Sequence, residues 1–134
     1  MGLLKRLFGT KPEDMDLPSL LTAIIELLDD IYTTLQRNQA RGKHEEIESA
    51  IRNIFHLGRE LRTLLAQASS ATPAKKQKDN IRAIVASLNL IADTATENNA
   101  LNELGLPENI KLTLRTKQAT LQNFLTVLLS RFGN

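Results

Sequence analysis

The chain contains no cysteine, which removes disulfides, thiolate metal sites and cysteine nucleophiles together and is compatible with a reducing cytoplasm. Aromatic residues are scarce, with one Tyr, four Phe and no Trp. Nucleic-acid binding by stacking needs aromatics interleaved with basic residues. The basic cluster Lys75, Lys76 and Lys78 has none beside it. Long apolar runs are missing too: Asp29 and Asp30 interrupt the longest candidate, which begins at Leu20, short of the roughly 18 residues a membrane span requires. There is no Gly-rich phosphate loop, no His-Glu-x-x-His pair, no strand-elbow serine and no dinucleotide fingerprint. The opening MGLLKRLFG is too short for the core of a secretory signal and no small-residue cleavage site comes after it, so export is not expected.

The residues that are present point to one folded domain. The 134 residues include 42% hydrophobic and 24% charged side chains with a net charge of +2, close to the globular average. From Leu101 onward Lys111, Arg115, Lys117 and Arg131 outnumber Glu103 and Glu108, an asymmetry too mild to imply nucleic acid.

The apolar residues fall into four ladders of helical period. Asp16 is placed to cap a first helix with Pro18 in its opening turn, and Leu21, Ile24, Leu28, Ile31 and Leu35 carry its face to about Gln39. Gly42 is expected to end it in the left-handed conformation. The second ladder, Ile47, Ile51, Ile54, Gly58, Leu61, Leu65 and Ala68, alternates steps of four and three, the period of helix packed along helix. Its Gly58 is a glycine at an inward rung, expected to admit a close neighbour. Glu45, Glu46 and Glu48 suit the start of this helix. The stretch from Ala68 to Pro73 reads as a turn, with Thr72 and Pro73 as cap and first position of a third helix. That helix carries Ile81, Ile84, Leu88, Ile91 and Ala95. Lys75, Lys76 and Lys78 oppose the helix dipole, so its stable start is expected near Asp79. Asn98 and Asn99 weaken it, Gly105 ends the segment after them, and Pro107 opens a fourth helix with Ile110, Leu114, Leu121, Leu125, Leu128 and Phe132 inward. The expectation is an all-α, antiparallel up-down-up-down four-helix bundle over residues 16–134, preceded by an amphipathic head and linker over residues 1–15. Long ladders also build interchain seams, so monomer and homo-oligomer both stay open.

In the head, Leu3, Leu4, Leu7 and Phe8 fall on one side of a short helix and Lys5 and Arg6 on another, before Gly9 and Pro12 break the pattern. This is the pattern of an interfacial anchor. It resembles the amphipathic tips by which bacterial division and septum-positioning proteins hold the inner membrane, and implies a cytoplasmic protein at the inner face of the membrane. Packing on the bundle, packing on a second subunit and a mobile tail are the competing readings. Gly2 does not make a myristoylation site, because Arg6 stands where the acceptor pattern needs Ser or Thr.

Residues able to carry chemistry are few. His44 and His56 each have a glutamate four positions on, Glu48 and Glu60, but the two pairs lie about 18 Å apart along one helix and cannot converge on one metal ion. Surface ion pairing is the expectation, with no metal and no cofactor. Glu26 and Asp30 share a face of the first helix and read as solvated. The run Glu60, Leu61, Arg62, Thr63 and Leu65 resembles the phosphoacceptor box of histidine kinases, with Arg59 where the nucleophilic histidine stands and Leu64 in place of the proline. Compared with histidine phosphotransfer bundles, His56 falls on the expected helix with Arg59 three positions on where a lysine is usual, and Glu60 replaces the glycine. These resemblances imply, as an alternative, a signalling bundle with His56 as phosphoacceptor. A further alternative is an RNA- or DNA-binding accessory using Lys75, Lys76, Lys78 and Arg82, although the composition makes nucleic acid the weaker partner. The leading expectation is a non-enzymatic helical interaction or adaptor module whose partner is another protein or a second copy. Leu112, Val127 and Leu129, apolar residues off the main ladder of the fourth helix, form the candidate partner face.

Overall fold

Asp16 and Ser19 set the start of the first helix. The Asp16 carboxylate accepts the Ser19 backbone N–H at 2.9 Å and Pro18 occupies the opening turn, the arrangement that satisfies an otherwise orphaned donor. Hydrogen bonding to Ser19, aided by the charge of Arg131, holds the Asp16 carboxyl below its ordinary value. The computed structural model describes residues 11–68, 73–92 and 104–134. Four α-helices occupy them: α1 Leu17–Arg37, α2 His44–Gln67, α3 Lys75–Ala92 and α4 Glu108–Phe132, with short 3-10 turns at Pro12–Asp14 and Gln39–Arg41. The described residues contain no strand.

α1 packs against both α2 and α4, and α3 packs against the same two helices, so the four surround one core. Facing two neighbours, α1 is apolar over a wide arc, and Leu20, Leu21, Ala23, Ile24, Leu27 and Leu28 are all buried. The other helices contribute narrower stripes. In α2 the buried residues are Ile47, Ile54, Leu57, Gly58, Leu61 and Leu64, whereas Ile51, Leu65 and Ala68 are only half-buried. The seam is therefore rotated from the expected ladder toward Leu57 and Leu64. In α4 the gap between Leu114 and Leu121 is filled by Gln118, which is 1% exposed and donates from Nε2 to the Ile91 carbonyl at the end of α3. A buried amide is tolerated because it is bonded.

Two helix boundaries differ from expectation. α1 ends at Arg37, before Gln39, and the chain turns through Gln39–Arg41. Gly42 is extended, with φ −134° and ψ −159°, so it is not a left-handed stop. It is small because a Cβ there would overlap the Leu104 carbonyl oxygen and stand 2.8 Å from Ile47 Cδ1. Among the described residues the left-handed glycine is Gly105, with φ 66°. α3 starts at Lys75 rather than near Asp79. Its first turn is closed by Gln77, whose Oε1 accepts the Ala74 backbone N–H at 3.2 Å while its Nε2 donates to the Gln67 carbonyl of α2 at 3.1 Å. Lys75 and Lys76 are exposed, so water screens their unfavourable interaction with the dipole.

The bundle also claims the end of the expected linker. Met15 is buried in the core, and Arg131 of α4 donates to the carbonyls of Pro12 and Met15. The expected head residues Leu3, Leu4, Lys5, Arg6, Leu7 and Phe8, the cap Thr72, and Ala95, Asn98 and Asn99 lie outside the described residues. No helix among the described residues is long and apolar enough to cross a membrane.

Candidate functional site

With Ile54, Leu57, Gly58 and Leu61 turned inward, the helical period carries Phe55 off the buried seam onto the flank of α2 that borders α1. Phe55 is 55% exposed, although the hydrophobic effect favours covering an aromatic ring. Its neighbour is Tyr32 of α1, ring centroid to ring centroid 6.3 Å at an interplanar angle of 39°, within the range of favourable aromatic pairs. Tyr32 is fixed in turn, its hydroxyl accepting from Gln36 Nε2 at 3.1 Å.

These rings wall one side of a groove of about 420 Å³ between α1 and α2, floored by Ile54 and Gly58 and rimmed by Asp29, Arg59 and Arg62. Arg62 Nη2 donates to both Asp29 oxygens, at 2.8 and 3.0 Å, joining α2 to α1 across one end. At Gly58 an added Cβ would meet Arg62 Nη1 at 3.1 Å and, beyond its chain neighbours and its own helix backbone, no other atom among the described residues within 4 Å. The bare rung is therefore covered by a side chain of the same helix, not by a neighbouring helix as its inward position suggests. Arg52 and Arg59 are exposed and belong to no ion pair among the described residues. The groove thus offers an uncovered ring, an apolar floor and, at its rim, the guanidinium of Arg59, unpaired among the described residues, with that of Arg52 one turn before Phe55 on the same helix.

The residues named from sequence are scattered by comparison. His56 is on α2 with its side chain 72% exposed and Nε2 3.3 Å from Glu60 Oε1; His44 stands 3.8 Å from Glu48. Both are surface pairs of the expected kind. Asp30 is not simply a solvated carboxylate, since Lys117 Nζ donates to it at 2.7 Å and ties α4 to α1. Arg82 pairs with Asp79 and donates to the Gly133 carbonyl at 2.7 Å, which commits part of the proposed basic cluster to joining α3 and α4. Leu112 is 59% exposed, but Val127 is 7% exposed and belongs to the core, and Leu129 packs half-buried against that core. The fold therefore does not bring Leu112, Val127 and Leu129 together as one exposed face: each helical turn redistributes them, and Val127 is taken by bundle packing.

A second, wider groove of about 620 Å³ lies between α2 and α3, above the buried Leu64 and Ile84, with Glu60, Gln67, Lys76 and Gln77 among its polar walls. It carries no aromatic group among the described residues. Nor do any three His, Asp or Glu side chains among those residues gather where they could hold a metal ion.

Sequence reasoning missed Tyr32, Phe55 and Arg52. The available signal was an aromatic residue off the seam of an otherwise regular ladder, visible only once the inward face is placed correctly. Compared with known proteins, the chain matches no family model, no curated protein and no solved structure.

Proposed function

We propose that this protein is a non-enzymatic helical interaction module, an up-down-up-down bundle whose contact surface is the α1–α2 face around Tyr32 and Phe55. The observation that carries the reading is the exposure of Phe55 beside Tyr32 over an apolar floor. An aromatic ring left in water on a folded domain is an anchor of the type that dominates protein interfaces. The connectivity is supported by side-chain links between helix ends: Arg131 near the end of α4 reaches Pro12 and Met15 ahead of α1, and Arg82 early in α3 reaches Gly133 after α4.

The amphipathic order of Leu3, Leu4, Leu7 and Phe8 against Lys5 and Arg6 supports a second element, reversible attachment of a cytoplasmic protein to the inner face of a membrane. The bundle then presents its α1–α2 face to a protein partner close to that surface.

A photoreactive phenylalanine analogue at position 55 tests the contact surface. Irradiation in cells should give a covalent adduct at position 55 and none at the exposed position 112; absence of any adduct at 55 removes the reading. Lipid-vesicle co-sedimentation of the full chain beside Leu7→Glu tests the anchor separately, and failure of both to pellet removes that element.

A further inference from the structure

The outer surface of α2 repeats the spacing of its buried seam. Glu45, Glu48, Arg52, Phe55, Arg59 and Arg62 follow steps of three and four, and all are exposed. Such steps set side chains in one line along a helix, so α2 has a second, exposed stripe beside its buried seam, which borders the α1–α2 groove at Phe55, Arg59 and Arg62. Its order matters: carboxylates occupy the first part, guanidiniums the last, and the aromatic ring stands near the middle. A stripe ordered in this way is complementary to its own reverse.

We infer that the occupant of this face is a second copy of the chain, docked α2 against α2 in an antiparallel, two-fold arrangement. The inference rests on the reading of the α1–α2 face as the contact surface and names what meets it. In antiparallel helix pairs the two kinds of seam position face one another in alternation. That rule sets Arg52 against the partner's Phe55, Glu48 against the partner's Arg59, and Glu45 against the partner's Arg62. The two-fold axis repeats each pairing, as in any isologous interface. Every charged residue of the stripe then meets an opposite charge or an aromatic face, where a guanidinium is attracted to the ring quadrupole.

Other arrangements are less favourable. Parallel docking sets Glu45 on Glu45 and Arg59 on Arg59, and like charges at an interface repel. Sliding the antiparallel pair by one heptad in one direction brings Arg52 onto the partner's Arg62; sliding it in the other leaves Arg59 and Arg62 opposite positions ahead of α2. The adjacent exposed stripe, Glu46, Ser49, Asn53, His56, Glu60 and Thr63, produces no carboxylate–guanidinium pair in any register, because it contains neither Lys nor Arg. Arg52 and Arg59 are free of ion pairs among the described residues. Arg62 spends Nη2 on Asp29 and keeps other donors of its five-donor fork for a second carboxylate.

The association is weak by construction. α2 has 24 residues and a length of about 36 Å, and a single helix pair with one ring per side falls at the small end of specific interfaces. Its ion pairs are exposed and screened by salt.

Analytical ultracentrifugation of the full chain tests this, at about 0.5 mM protein in about 0.02 M and about 0.5 M salt, where the screening length differs several-fold. The unmodified chain should self-associate at low salt and lose about tenfold or more in association constant at high salt. Arg59→Glu at low salt should weaken association by about tenfold or more, and Glu48→Arg combined with Arg59→Glu should return it to within about threefold of the unmodified chain. Both positions are exposed, and the salt series reads the same pairs without any substitution. A chain that stays monomeric at low salt, a dimer indifferent to Arg59→Glu, or a double variant as weak as the single one overturns the inference. If position 55 cross-links to a different protein while the chain remains monomeric, the face belongs to that partner: the second copy is overturned and the contact surface stands. Absence of any adduct at position 55 overturns both.

Discussion

Gly42 lies directly against the Leu104 carbonyl oxygen, the same atom that accepts the Lys43 backbone N–H at 2.8 Å. The turn between α1 and α2 is thereby joined to the segment that leads into α4. Each side depends on the other: Gly42 leaves the room, and the Leu104 carbonyl supplies the bond that a backbone N–H so close to the core needs.

Gly42→Ala is therefore expected to destabilise the fold by about 2 kcal/mol, since the methyl group would displace a backbone carbonyl rather than a flexible side chain. Urea unfolding followed by far-UV circular dichroism measures it. The midpoint should fall with little change in slope, because the loss is one of native-state packing and not of surface exposed on unfolding.

This glycine shows where the sequence was readable and where it was not. Four helices were legible because each carries an apolar ladder of helical period, and the α1 cap was legible because Asp16, Pro18 and Ser19 act within four residues of one another. The role of Gly42 was not, since the reason for it sits in Leu104, remote in the chain. The start of α3 failed for a related reason: counting lysines weighs the dipole, while Gln77 bridging Ala74 and Gln67 outweighs it. At the candidate site, the face carrying Phe55 became visible only when burial of Leu57 and Leu64 fixed the rotation of α2. The partner face assigned to Leu112, Val127 and Leu129 treated surplus apolar residues as exposed, and core packing had already taken Val127.

Gly58→Ala is expected to act in the opposite direction to Gly42→Ala. The glycine sits inside α2 in a helical conformation, where alanine is favoured by up to about 1 kcal/mol. The obstacle to a Cβ is Arg62 Nη1 at 3.1 Å, the end of a half-exposed side chain that can move by a few tenths of an ångström. A gain of about 0.5 kcal/mol in unfolding free energy is the expected result. Should Gly58→Ala destabilise instead, repeating it on an Asp29→Ala background tells whether the strain comes from holding Arg62 in its pair.

Gln118→Leu replaces a buried amide by a side chain of similar size and greater hydrophobicity, yet a loss of about 1–2 kcal/mol is expected. The Ile91 carbonyl at the end of α3 would lose the hydrogen bond it accepts from Gln118 Nε2, and a bond held in the core contributes about 1 kcal/mol or more to stability. Hydrogen exchange should report the change locally, with faster exchange in the second half of α3 than in α1.

Asp16→Ala is expected to cost about 1 kcal/mol at neutral pH, the usual worth of a helix N-cap, and the loss should depend on pH in a defined direction. Hydrogen bonds from Ser19, with the charge of Arg131 beside them, lower the Asp16 pKa in the folded state from 3.8. A carboxyl whose pKa is lower when folded stabilises fully above its unfolded value and loses that contribution as pH falls through the folded one. The unmodified chain and Asp16→Ala should therefore differ by a constant amount between about pH 5 and pH 7, and their stabilities should approach one another only below about pH 4. Urea unfolding of both chains across that range measures the difference. A gap that closes between about pH 5 and pH 7 would assign the effect to another group. A gap that persists unchanged well below about pH 3 would mean that the cap acts through the shape of the turn and not through the charge on Asp16.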